Sequence, residues 1–216
     1  MVFDIIAVLG GILISPLVLA GLAFTWWQTH GDRNRLEQIW SRYAQRRRLR
    51  FVPSTGEWPN RTAPAVQWVE GTAEYRIEAH GAEAVVATGV VARPEVAMLG
   101  ELSLRRAAPG DVLAVVTGDA RIDGRFVVEA KPESLATRLL TAEVRRGLLG
   151  FDLGGTVSLT YRRGDVALRW SGAEENDARL DEARGVVRHL VQAIERESGS
   201  RRGEVGSGGL RTSAEG

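Results

Sequence analysis

The sequence predicts an α+β protein: an N-terminal transmembrane helix, then one domain with an antiparallel sheet covered by helices on one face. Three observations lead there. Residues 5–27 carry no charged side chain. Behind them, six short runs alternate apolar and polar residues or are continuously apolar, as strands do. Near the end, NDARLDEARGVVRHLVQAIERE sets Leu180, Ala183, Val187, Leu190, Val191 and Ile194 along one helical face.

Residues 1–30 read as the anchor. The run IIAVLGGILISPLVLAGLAFTWW extends from Ile5 to Trp27; as a helix it spans roughly 35 Å, against a hydrocarbon core of about 30 Å. Its Gly10, Gly11, Pro16 and Gly21 are residues that membrane spans tolerate. A cleaved signal peptide would want a basic n-region, which MVFD lacks. Trp26 and Trp27 close the run where an interfacial aromatic belt belongs, and Arg33 and Arg35 follow. Those four are the expected membrane-interface residues. No Lys or Arg precedes Ile5, so the positive-inside rule puts the N-terminus outside and the C-terminal domain in the cytoplasm. The expectation is a single-pass protein of the cell membrane with the lipid bilayer as its first partner. Ala7, Gly11 and Ser15 recur every four residues, a spacing that also allows a homo-oligomer through the span.

Residues 31–50 read as a basic amphipathic juxtamembrane helix. Seven Arg against Asp32 and Glu37 give this stretch a net charge of +5, whereas 18 basic and 22 acidic side chains give residues 51–197 a net −4. A duplex-binding domain carries its basic patch on the folded body, so nucleic acid is not expected as a partner. Leu36, Ile39, Trp40, Tyr43 and Ala44 form one helical stripe. Two placements satisfy it. The stripe packs on the domain, or the helix lies on the membrane surface with residues 31–50 attracting anionic lipid headgroups.

Residues 51–197 read as the α+β domain. FVPSTGEWPNRTAPAVQW holds three prolines and reads as an irregular connection. EYRIEA and GELSLRR alternate as half-buried strands; AVVATGVVA has the uniform apolarity of a central one. RFVVEA is a short strand, and VSLTY with DVALRW reads as a hairpin across Arg162–Asp165. PESLATRLL and TAEVRRGLLGF are helical, the second with Thr141 as a cap and Glu143 in its first turn. Residues 198–216, poor in large apolar side chains, read as a disordered tail.

Chemistry is sparse. The chain has no cysteine, which excludes disulfides, thiolate metal sites and Cys nucleophiles. His30, His80 and His189 lie far apart without ligand spacing, and no nucleotide-binding or nucleophile-elbow motif occurs. No catalytic, cofactor or metal residue is therefore expected. In TGDARIDGRF, Asp119 and Asp123 stand four apart. Two carboxylates can serve as acid and base or hold a divalent cation, but Asp beside Gly is also ordinary turn chemistry. The tripeptide at Arg163–Asp165 reads as a hairpin turn.

The stretch GDARIDGRFVVEAKPESLATRLLTAEVRRGLL resembles a group of bacterial membrane-anchored proteins with a domain of unknown function. In those, an FDxxFxV-like strand precedes a short helix, LLT and a second helix. Phe126, Val128, Leu140 and Thr141 match, while Ile122-Asp123 stands where Phe-Asp is usual. The resemblance implies an architecture and no reaction. Together these readings describe a single-pass membrane protein whose domain binds or scaffolds an unknown protein partner. The alternative is a membrane-bound enzyme or cation-binding domain using Asp119 and Asp123.

Overall fold

The computed structural model describes residues 34–56, 62–80, 87–112, 114–151 and 156–207. Helix α1 (34–47) leads into a sheet built from β1 (Arg50–Val52), β2 (Ala65–Glu70), β3 (Ala73–His80), β4 (Ala87–Arg93), β5 (Glu101–Arg106), β6 (Phe126–Lys131), β7 (Val157–Arg162) and β8 (Asp165–Ser171). The strands lie in the order β1-β2-β3-β4-β8-β7-β5-β6, every pairing antiparallel. Helices α2 (Ala120–Asp123), α3 (Ser134–Leu139), α4 (Ala142–Gly150) and α5 (Asp177–Ser207) complete the fold.

Local chemistry sets these boundaries. Thr141 has extended backbone and its hydroxyl accepts from Val144 N–H, which starts α4. The Asn176 side chain accepts from Ala178 N–H at 2.9 Å and caps α5. Between β7 and β8 only Arg163 and Gly164 intervene, both with positive φ (53° and 86°), the paired left-handed geometry whose twist suits a two-residue hairpin.

Alternation along each strand separates the sheet's faces. Tyr75, Ile77, Val90, Leu104, Leu159, Leu168 and Trp170 point into a core completed by Leu36 and Trp40 of α1, Leu135 and Leu139 of α3, Val144 and Leu148 of α4, and Leu180, Val187, Leu190 and Ile194 of α5. α5 runs along β4 and β8 and meets α3 and α4, so these helices share one face. Gly147 lets α4 approach α5, since a Cβ there would stand 2.8 Å from Val186 Cγ2. The opposite face carries charged side chains such as Glu74, Arg76, Arg93, Asp165 and Arg169 among Val69, Val91 and Val127. α1 joins the helical layer: buried Trp40 donates from Nε1 to the Glu174 carbonyl at 3.0 Å, and the Tyr43 hydroxyl donates to Asp181 at 2.9 Å.

This architecture corrects the expected fold class. The described chain is dominated by an eight-stranded sheet, and none of its described helices is long and apolar enough to cross a membrane. The longest, α5, carries nine charged residues between Asp177 and Glu197. The run at 5–27, with Trp26, Trp27, Arg33 and the Ala7–Gly11–Ser15 spacing, lies outside the described residues. Two strands also arise where an irregular connection was expected, because β2 gains its backbone partners from the full length of β3 and offers its other edge to β1. Finally, α5 continues to Ser207, past residue 198; extending an established helix adds one hydrogen bond per residue without a new nucleation cost.

Candidate functional site

Asp119 and Asp123 flank one turn of helix, and local backbone engages both. Asp119 caps α2, accepting from Arg121 N–H at 3.0 Å. That hydrogen bond, with the Arg121 and Arg145 guanidinium groups nearby, lowers its carboxyl pKa. Asp123 accepts from the backbone N–H (3.0 Å) and the hydroxyl (2.8 Å) of Thr117. Gly118, just before Asp119, has φ +78°, the left-handed geometry of a tight turn. The two carboxylates close a loop and do not line the concavity described below. Among the described residues, no three His, Asp or Glu side chains gather as a metal site would require.

Three of the six arginines at 35–50 are paired with carboxylates of the domain. Arg35 pairs with Glu175 (2.7 Å), Arg46 with Asp177 (2.6 Å) and Arg47 with Asp181. The acidic partners all lie on or just before the first turns of α5, where carboxylates also favour the helix N-terminus. Arg184 of α5 donates to the Tyr43 hydroxyl and lies 4.4 Å above the Trp68 ring, itself stacked on Tyr75. Burial is the main cause that pushes the Tyr43 hydroxyl up to about 12. Of the four expected interface residues only Arg35 is described, and its guanidinium is turned to Glu175.

The polar cluster that sequence reasoning missed sits on the open face of the sheet. Glu78 and His80 are two apart on β3 and therefore share a face, and Arg169 of β8 reaches them across β4. His80 Nε2 lies 3.0 Å from Glu78 Oε1 and 3.3 Å from Arg169 Nε. Arg169 donates from Nε to that nitrogen, which also stands within reach of the Glu78 carboxylate. Gly89 lies beneath, and a Cβ there would meet Arg169 Cγ at 3.1 Å and His80 Nε2 at 3.3 Å, so its bare backbone lets both side chains lie flat. The spacing E-A-H was the available signal, but only the β4–β8 pairing adds the arginine.

Beside this cluster, a shallow concavity of about 600 Å³ is lined by Arg50, Gln67, Arg76 and Arg93 with Glu74, Glu78 and Asp165. Three guanidinium groups face three carboxylates. Arg93 holds Asp165 through two hydrogen bonds (2.8 and 3.3 Å), and Arg76 lies 3.8 Å from Glu78. Walls balanced in this way select neither a strongly anionic nor a strongly cationic small molecule. They suit a surface whose own charges are matched.

No protein-family model matches the chain, and no curated protein sequence matches it. Among solved structures, the crystal structure of the mycobacterial trehalose monomycolate transport factor A, TtfA, is similar. The two share 13% identity at a TM-score of 0.55, over 75% of this chain and 96% of that one. At this identity the likeness shows a common fold.

Proposed function

We propose that the chain is a membrane-associated accessory module that binds other proteins and catalyses no reaction itself. The observation that carries this is the fold. It matches nearly the whole of the mycobacterial trehalose monomycolate transport factor A, so the reading by analogy is a helper of a transport assembly. Two features support it. The 5–27 stretch is uncharged, and α1 is locked into the helical layer by Trp40 and Tyr43. An attachment made by residues 1–33 therefore meets the folded domain directly at residue 34. The engagement of Asp119 and Asp123 by backbone groups weighs against an acid–base pair. By its flanking charges the domain faces the cytoplasm.

Fractionation of cells expressing the full chain tests this reading. The expected result is recovery in the membrane pellet, reduced when residues 5–27 are replaced by a polar linker. Recovery of the full chain in the soluble fraction would overturn it. A reporter fused after residue 197 checks the orientation, and activity of one that works only after export would reverse it.

A further inference from the structure

We propose that the open face of the sheet is the contact surface of a symmetric homodimer, with the twofold axis in the interface plane along the seam between β4 and β8. The four helices α1, α3, α4 and α5 all lie on the other side, and the segment after β5 touches this face only towards its β5–β6 end, where Asp111 pairs with Arg105 and Ala114 borders Ser103 and Glu129. What identifies a second copy as the occupant is the arrangement of charge, read from the strand registers.

One row crosses all eight strands. In sheet order from β6 to β1 it reads Glu129, Ser103, Thr160, Ala167, Val91, Arg76, Gln67, Arg50. A twofold along the central seam exchanges β4 with β8, β3 with β7, β2 with β5 and β1 with β6. Under that exchange Glu129 faces the other copy's Arg50, Thr160 faces Arg76, and Ser103 faces Gln67. At the centre, Ala167 faces Val91. The centre is small and apolar, with Ala167 5% exposed and Val91 half-buried. Nothing there keeps two sheets from the usual spacing of about 10 Å.

The neighbouring row repeats the logic with full charges. Glu101, Arg162, Asp165, Arg93 and Glu74 alternate in sign across β5, β7, β8, β4 and β3. Within one copy, Arg162 lies 2.9 Å from Glu101 and Arg93 lies 2.8 Å from Asp165. The same exchange sets Arg93 against the other copy's Asp165 and Glu74 against its Arg162. In the row on the other side of the central one, Arg169 falls over Gly89 and Glu78 over Ser158. None of these matched positions opposes two like charges, whereas like charges directly opposed would disfavour the contact.

The area is sufficient. Six central strands at about 4.8 Å and six residues at about 3.3 Å make a face of roughly 600 Å² per copy. Two copies bury about 1,200 Å², at the lower bound for specific association. The pair is therefore a weak, salt-sensitive dimer of micromolar order.

Charge reversal on the full chain, measured by sedimentation in density-matched detergent, tests this. Arg93→Glu leaves two acidic positions facing two acidic ones, and Asp165→Arg leaves two basic facing two basic. Each variant alone is expected to sediment as a monomer, with self-association at least tenfold weaker than wild type. Mixed in equal amounts they form a heterodimer, since Glu at 93 then faces Arg at 165 and Asp at 165 faces Arg at 93. The double variant restores self-association. Because the mixture contains the same two mutant folds, misfolding cannot imitate the recovery. A wild-type chain that stays monomeric at micromolar concentration would overturn the proposal. So would single variants that dimerise like wild type, or a mixture that stays monomeric.

Discussion

Replacing Trp40 by Phe decides whether α1 belongs to the domain or to a membrane surface. Trp40 is fully buried, and its indole N–H donates to the Glu174 carbonyl at 3.0 Å, across 134 residues of chain. Phe keeps an aromatic ring but removes the donor, leaving a buried carbonyl short of a partner. That loss costs about 1–3 kcal/mol. The smaller ring also leaves a void of roughly 40 Å³, which at about 24 cal/mol per Å³ adds about 1 kcal/mol. The sum, about 2–4 kcal/mol, is a large part of the 5–15 kcal/mol typical of a whole domain, on the order of its lower bound. At about 2–4 °C per kcal/mol for a chain of this size, the melting temperature should fall by about 9 °C. The assay is denaturant and thermal unfolding of the full chain, with binding to anionic vesicles measured in parallel. A stability change below about 1 kcal/mol together with weakened vesicle binding would refute the docking, because a surface helix loses lipid contact and no core.

Two further outcomes concern the carboxylates. Asp123→Ala removes the acceptor for both Thr117 donors and should destabilise by about 1–2 kcal/mol, while Asp119→Asn keeps a capable helix cap and should change stability by less than about 1 kcal/mol. Divalent cations should shift the unfolding of neither variant nor wild type, and a cation-dependent rise lost in Asp119→Asn would return the pair to the status of a binding site. The second outcome is acid sensitivity. The Arg105 guanidinium, then the Ala108 N–H, pull Asp111 from 3.8 to about 2, and backbone hydrogen bonds also lower Asp119 and Glu143. Since the folded pKa lies below the unfolded one, the charged form favours the fold above about pH 4, and that contribution is lost as pH falls towards 2. Asp111→Asn should thus be less stable at neutral pH and converge on wild type near pH 2; parallel melting profiles from pH 7 to 2 would contradict it.

What was legible in the sequence was local. The alternation in EYRIEA and GELSLRR gave the cores of β3 and β5, and the stripe through Leu36, Trp40 and Tyr43 gave an amphipathic helix. The turn chemistry of Asp beside Gly marked the loop that Asp119 and Asp123 close. What was illegible depends on partners remote in sequence. The stripe alone could not choose between lipid and protein, because Glu175, Asp177 and Asp181 stand more than a hundred residues away. β2 was hidden behind Pro64, which stands one residue before the strand and leaves its ladder intact. The two strands not expected, β1 and β2, lie in the proline-bearing stretch and take their partners from each other and from β3.

The two proposals occupy different parts of the molecule, which makes them compatible and separately testable. α1 enters along α5 in the helical layer and hands the chain to β1, the edge strand. Residues that precede α1 therefore reach the domain through the helical layer, and the centre of the open face between β4 and β8 lies four strands in from β1. A copy held at a bilayer keeps that centre available. Confinement to a surface also raises the effective concentration of one copy for another, so a contact of micromolar order in solution is populated more fully there without any new contact. Neither proposal needs the other. A chain that dimerises yet fractionates as soluble would keep the open-face interface and lose the membrane, whereas a membrane-bound monomer would do the reverse.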